Sequence, residues 1–182
     1  MIHQVDNFLK EDSFQKISNQ FSDKQSWESS KYFWPKSLFE YYTGSPIQGA
    51  EKKRLNSCLV GKGDFDEYNE NLTQLVGQLS GKRVEHIETL MYQWTEGSCI
   101  LWHDDHGHDV NVTLYMSHWD RNWGGELLLE NGTWVAPEKN KLVIFMERMQ
   151  HKTTLRLPEV PPRLSLQTFI RFKKPDEGVY YG

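Results

Sequence analysis

The residues with the most chemical potential lie in one short run, Leu101-Trp102-His103-Asp104-Asp105-His106. In an extended backbone, side chains two residues apart point to the same face. His103 and Asp105 could therefore offer an imidazole nitrogen and a carboxylate oxygen to one metal ion. A third ligand must come from elsewhere in the chain, and His151 is the best candidate. Two histidines and one carboxylate cover one face of an octahedral ion and leave three positions open. Non-haem Fe(II) centres use that arrangement.

Two other His-x-acid pairs compete, His86-Ile87-Glu88 and His118-Trp119-Asp120. The first falls inside an expected strand. The second falls in an expected loop beside Asn122 and Gly124-Gly125. A catalytic metal needs rigid ligands and a path of approach, which a strand end offers better than either. His103 and Asp105 meet that requirement best, with His118 and Asp120 next. His106 and His108 bring further histidines, enough to consider zinc. The run lacks the His-x-His-x-Asp-His order of dinuclear hydrolases, and no cysteine is near enough to complete a structural zinc site. Both are read as solvent-facing loop residues.

Elements that could position these residues follow from the pattern of the chain. Ile2 to Leu9 reads as a short strand entering a turn. Asp12 or Ser13 could cap a helix over Phe14 to Ser22, with Phe14, Ile17 and Phe21 at helical spacing. Residues 26–50 mix aromatics with turn formers, among them Trp27, Phe33, Trp34, Pro35, Gly44 and Pro46. Irregular structure with a short helix is expected there, either over a pocket mouth or as a packed loop. A second helix is expected from Phe65 to Leu79, where Leu72, Leu75, Val76 and Leu79 repeat helically and Gly81 marks the stop.

From Arg83 onward the period changes to that of strands. These are expected at Arg83 to Trp94, Ile100 to Asp105, Val110 to Ser117, Gly125 to Glu130, Thr133 to Ala136, Lys141 to Glu147 and Arg163 to Phe172. Asn131-Gly132 is a strong hairpin signal. About eight strands without a long helix between them imply a sandwich or barrel of antiparallel sheets.

At 182 residues the chain suits one domain, with a helical and irregular part at 1–82 and a β core at 83–172. Its 37% hydrophobic and 25% charged content is that of a globular chain rather than a disordered one. A net charge of −4 gives no general attraction to nucleic acid or an anionic membrane. Two cysteines, Cys58 and Cys99, allow one bridge but no disulfide framework. Neither a signal peptide nor a run of ~20 apolar residues is read, so a cytoplasmic protein is expected.

The run from Tyr92 to Phe172 resembles the Fe(II)/2-oxoglutarate-dependent oxygenases, in particular their prolyl-hydroxylase-like branch. Tyr92 and Gly97 precede His103-x-Asp105, and Val112 to Ser117 follows. Then come Gly124-Gly125-Glu126-Leu127, a phrase typical of that branch, and Lys141 to Phe145 leading to His151. Arg163-Leu164-Ser165 lies twelve residues past His151. The opening Val5 to Leu9 also looks like the family's first strand.

This resemblance implies a mainly β fold, a double-stranded β-helix or jelly roll with the N-terminal helices packed on one sheet. It implies that His103, Asp105 and His151 hold Fe(II), with 2-oxoglutarate and O2 as cosubstrates and ascorbate as a candidate reductant. The implied reaction hydroxylates an unactivated C–H bond, of a prolyl or another amino-acid or peptide substrate, and decarboxylates 2-oxoglutarate to succinate and CO2. Arg163 and Ser165 would hold the cosubstrate's distal carboxylate; they share one strand face with Gln167, Phe169 and Arg171. Tyr92 and Tyr115 are further candidates for contacts to 2-oxoglutarate, and Trp102, Trp119 and Trp123 for a substrate pocket. Related halogenases carry a small residue where Asp105 stands, so a carboxylate there favours hydroxylation.

Two other readings compete with it. Nucleic-acid demethylases share the iron site but carry two arginines six apart on the last strand; here Arg163 and Arg171 are eight apart. A jelly-roll module that binds without catalysis would be expected to lack a ligand or the basic residue, and all four are present.

Overall fold

The computed structural model describes residues 1–22, 27–32, 34–43, 50–56 and 58–174. Phe33, Gly44 and Pro46 of the aromatic stretch lie outside the described residues. The elements run β1 (Ile2–Val5), α1 (Glu11–Ser22), β2 (Glu28–Ser29), β3 (Glu40–Thr43), β4 (Glu51–Arg54), β5 (Leu59–Gly61), α2 (Asp66–Ser80) and β6 (Val84–Trp94). They continue with β7 (Ile100–His103), β8 (Val110–Tyr115), β9 (Leu127–Leu129), β10 (Trp134–Val135), β11 (Leu142–Phe145), β12 (His151–Thr153) and β13 (Arg163–Phe172). Short 3-10 turns at Ser30–Tyr32 and Lys36–Leu38 lie in the stretch expected to be irregular.

One sheet has seven strands in the order β1-β11-β8-β13-β6-β5-β2; it faces a four-stranded sheet ordered β10-β9-β12-β7. Every ladder within them is antiparallel. This is the expected double-stranded β-helix. The N-terminal part does more than pack on it, because β1 extends the large sheet beside β11 and β5 extends it beside β6.

Alternation along the central strands sorts side chains to the two faces of the large sheet. Val112, Leu114, Leu142, Ile144, Leu166 and Ile170 form the outer face, together with Met91. Against it pack Phe14 and Ile17 of α1 and Tyr68, Leu72 and Val76 of α2. Leu72 and Val76 are fully buried, whereas Leu79 is 42% exposed, so the apolar stripe of α2 turns outward in its last turn. Gly81 stops the helix as expected, at φ +66 with its N–H bonded to the Gly77 carbonyl at 2.9 Å. α1 begins at Glu11, ahead of both expected capping residues, and Ser13 bonds Glu67 on α2 instead of capping.

Asn140 ties the N-terminal segment to the barrel. Its side chain accepts from the Leu9 N–H at 2.9 Å and donates to the Leu9 carbonyl at 2.8 Å. The hairpin at Asn131-Gly132 forms between β9 and β10, with Gly132 at φ +83. Cys58 and Cys99 are both buried and free. No helix among the described residues is long and apolar enough to cross a membrane.

The β3–β4 hairpin had no sequence signal. β4 reads Glu-Lys-Lys-Arg, which offers no apolar alternation. Ion pairs brace it instead: the Glu40 carboxylate meets Lys52 at 2.5 Å and Arg54 at 2.6 Å.

Candidate metal centre and its cavity

His103 closes β7 and His151 opens β12, and the two are direct partners across the ladder. Their ring centroids lie 4.3 Å apart. A register shift between His151 and Thr153 marks a bulge beside the site, a device that re-aims side chains. Asp105 lies beyond the end of β7, where the chain turns with the His106 N–H bonded to the Asp104 carbonyl at 3.1 Å. The turn, rather than strand alternation, therefore delivers its carboxylate. The expected strand end at Asp105 is corrected to His103, and His151 belongs to a strand that the sequence had not disclosed.

Each imidazole is oriented by the backbone. His103 Nδ1 lies 2.8 Å from the Leu101 carbonyl, and His151 Nδ1 lies 2.9 Å from the Met149 carbonyl. A carbonyl only accepts, so Nδ1 carries the proton in both rings and the Nε2 lone pairs are free to ligate. His103 Nε2 is 3.7 Å from Asp105 Oδ1, and His151 Nε2 is 3.6 Å from Asp105 Oδ2. The three donor atoms fall within 4.8 Å of one another. Ligand atoms at ~2.1 Å on adjacent octahedral corners stand ~3 Å apart, so a small closure would seat an ion. Burial, then repulsion from His151, lowers the His103 pKa against the pull of Asp105. A neutral imidazole is the form that ligates. Donor set, tautomers and spacing all fit a divalent ion.

The triad opens into a cavity of about 620 Å³ between the two sheets. Arg163, Ser165, Gln167 and Phe169 of β13 line it, as their shared face implied. Arg163 is 3% exposed. Its guanidinium donates to the Gly125 carbonyl and lies 4.5 Å from the centre of the Trp94 ring. Its Nε has no hydrogen-bond partner, and no carboxylate forms an ion pair with it among the described residues. Burial pushes its pKa down to about 10, which leaves it protonated near neutrality. A cation so placed, at the wall of a cavity, is suited to an anionic ligand.

Tyr92 and Tyr115 line the same cavity, and burial raises both their pKa values, so they remain neutral phenols. Trp102 stands at the wall, 48% exposed, with Lys152 over its ring at 5.0 Å. Trp119 and Trp123 do not line the cavity. Trp119 donates to the Gly124 carbonyl at 3.0 Å, and Trp123 packs against His118 at 5.4 Å between ring centres. Their place in the turn before β9, rather than on a cavity-facing strand, explains the difference. His106 is exposed and meets Asp104 at 2.8 Å. His108 departs from the expected solvent-facing position: it lines the cavity, its ring 4.6 Å from that of Phe169.

Several walls were absent from the sequence reading. Trp94 pairs with Arg163 across the β6–β13 ladder and donates to Ser165 Oγ at 3.3 Å. Its signal was available, since it shares the face of Tyr92 two residues earlier. Trp34, Pro35, Ser37 and Leu38 come from the aromatic stretch and close one side of the cavity. The Trp34 ring lies 5.7 Å from Tyr92 and 5.9 Å from Trp94. Of the two roles considered for that stretch, these residues take the one at the pocket.

The jelly roll thus carries a His-Asp-His donor set at one cavity wall and a buried arginine at another. The comparisons with known proteins agree. The model of the 2OG-Fe(II) oxygenase superfamily matches residues 87–171, most of the β core. Prolyl hydroxylases are among the solved structures that share its fold. A prolyl-4-hydroxylase of Pseudomonas putida is 18% identical with a TM-score of 0.67, covering 93% of this chain and 92% of that one. A Trichoplax adhaerens prolyl hydroxylase, solved with a hypoxia inducible factor peptide fragment, is 16% identical with a TM-score of 0.65, covering 93% and 83%. A collagen prolyl hydroxylase of Paramecium Bursaria Chlorella virus-1, solved with 2-oxoglutarate, is 11% identical with a TM-score of 0.60, covering 93% and 94%. At these identities the likeness is one of fold. No curated protein matches the chain in sequence.

Proposed function

We propose that this protein is an Fe(II)- and 2-oxoglutarate-dependent dioxygenase, acting as a single domain over residues 1–182, that hydroxylates an unactivated C–H bond of a prolyl or other amino-acid or peptide substrate. The superfamily whose model matches the β core implies Fe(II), 2-oxoglutarate and O2. The observation that carries the reading is one cavity walled both by His103, Asp105 and His151 and by the anion-competent Arg163. A 2-oxo diacid has the matching polarity, with a chelating 2-oxo acid at one end and a carboxylate at the other.

His103, Asp105 and His151 would hold the iron by Nε2, a carboxylate oxygen and Nε2. When bound, the iron supplies O2 activation coupled to oxidative decarboxylation of the 2-oxo acid. Arg163 and Ser165 would grip the distal carboxylate, and Tyr92 and Tyr115 would offer phenol donors along the way. Burial of Arg163 against Trp94 excludes water at that end and strengthens its hold on an anion. Trp102, at the exposed edge of the cavity, is positioned to contact the substrate that is oxidised.

The prolyl preference rests on the fold shared with three prolyl hydroxylases. The direct test is conversion of 2-oxoglutarate to succinate with Fe(II) and O2, coupled to gain of one oxygen atom by a prolyl peptide or free proline. Normal turnover in His103→Ala would sink the assignment. Turnover of 2-oxoglutarate with neither prolyl substrate oxidised would remove only the substrate preference.

A further inference from the structure

Arg156 is a second buried cation, and nothing in the triad or in the cosubstrate grip accounts for it. It is 2% exposed. Nη1 donates to the Gly124 carbonyl at 3.1 Å, Nη2 donates to the Pro161 carbonyl, and the guanidinium lies 5.9 Å from the centre of the Trp123 ring. Glu126 is the nearest acidic influence, but it makes no ion pair with Arg156 among the described residues; its carboxylate accepts from Thr154 Oγ1. Burying a guanidinium against carbonyls alone is unfavourable, and an apolar side chain would fill the same volume.

Both carbonyls that Arg156 grips lie beside the segments that hold Arg163. Pro161 stands two residues before it in the chain. Gly124 precedes Gly125, whose carbonyl accepts from Arg163 Nη1. The three groups touch: a Cβ on Gly125 would lie 2.6 Å from Arg156 Cδ and 3.3 Å from Arg163 Nη1. Gly124 and Gly125 have φ of +66 and +85, and a Cβ on Gly124 would collide with the Leu155 carbonyl oxygen. The backbone of Arg156 is fixed in turn, its N–H donating to the Ser98 carbonyl and its carbonyl accepting from Gly97 N–H, both at 3.0 Å. Those residues lead into β7, the strand that ends at His103.

We propose that Arg156 is a positioning residue for Arg163. By holding Gly124 and Pro161 it fixes the Gly125 carbonyl and the start of β13, so that the Arg163 guanidinium faces the distal carboxylate of a 2-oxo diacid. The inference rests on the reading that Arg163 binds that carboxylate.

Two variants disturb the clamp differently. Arg156→Lys keeps the charge, but an ammonium lacks the planar fork that reaches two carbonyls. Arg156→Met keeps most of the volume and removes both the fork and the charge, leaving Gly125 and Arg163 untouched. The measurement compares affinities of Fe(II)-loaded, oxygen-free protein for 2-oxoglutarate and for 2-oxopentanoate, which lacks the distal carboxylate. Both variants are expected to lose roughly tenfold in 2-oxoglutarate affinity, with 2-oxopentanoate binding unchanged within about twofold. The KM for 2-oxoglutarate should rise in step while kcat at saturation stays within about twofold. Equal weakening of both ligands would mean general loosening and would overturn the proposal, as would unchanged 2-oxoglutarate affinity. Should Arg156→Lys not fold, Arg156→Met decides by the same comparison. Arg163→Met separates the two levels: if it keeps the preference for 2-oxoglutarate, the cosubstrate reading has failed and the clamp with it. If it loses the preference while the clamp variants keep it, the clamp alone has failed.

Discussion

Replacing Arg163 by methionine should separate stability from binding. In the ligand-free protein this arginine is buried, has a carbonyl as its hydrogen-bond acceptor and leaves Nε unpaired. Burial lowers its pKa to about 10, a cost to the charged form on the order of 3 kcal/mol. Methionine removes that cost, keeps most of the volume against Trp94, and gives up one hydrogen bond worth about 1 kcal/mol. Ligand-free Arg163→Met is therefore expected to be as stable as the wild type or more so by about 1–2 kcal/mol, a rise in Tm of roughly 2–8 °C for a chain of this size. Its affinity for 2-oxoglutarate should fall by roughly 2–5 kcal/mol, the usual loss when one partner of a buried charge pair is removed. Thermal melts without ligand and calorimetric titration of the Fe(II)-loaded protein under nitrogen measure the two effects. A variant that melts far below the wild type and still binds 2-oxoglutarate would refute the reasoning: Arg163 would then be a structural arginine.

Other outcomes follow from the same geometry. Asp105→Ala should abolish succinate formation and metal retention, whereas Asp104→Asn, whose side chain meets His106 rather than the other two histidines, should leave turnover largely intact. The affinity of 2-oxoglutarate should also depend on pH. Arg163 binds as a cation with its ligand-free pKa lowered to about 10, so affinity should hold at neutral pH and weaken as pH rises through that value, by up to about tenfold per unit. The sign for stability is opposite: the folded pKa lies below the unfolded one, so the penalty from this charge is full below pH ~10 and fades as pH rises above that value. Leu114 is fully buried on the face that meets the helices, and Leu114→Ala should cost about 2–5 kcal/mol in chemical denaturation.

Period-based features could be read directly from the chain. The Arg163 to Phe172 strand, its two faces and the Gly81 stop each depend on local sequence and appear as expected. The triad was legible in its identities but not in its geometry. His103 and Asp105 meet because the chain turns after β7, and His151 meets His103 across a ladder between segments 48 positions apart. Such long-range register leaves no periodic trace. Trp94 was within reach, because it alternates with Tyr92 on one strand. The β3–β4 hairpin and the Trp34 wall were not: one is held by ion pairs on an all-charged strand, the other by an irregular segment whose aromatics fit core and cavity equally well. Arg156 could be seen in the sequence only as an arginine near the site, since one of the two carbonyls it meets, that of Gly124, comes from a turn 32 positions earlier.

The central claim is that one cavity holds iron on the triad and 2-oxoglutarate between that iron and Arg163. An oxygen-free crystal structure with Fe(II) and 2-oxoglutarate tests it most directly. One ion is expected there, ligated by His103 Nε2, Asp105 and His151 Nε2, with the distal carboxylate paired to Arg163. An ion on His106 and His108, or a cosubstrate carboxylate turned away from Arg163, would contradict it.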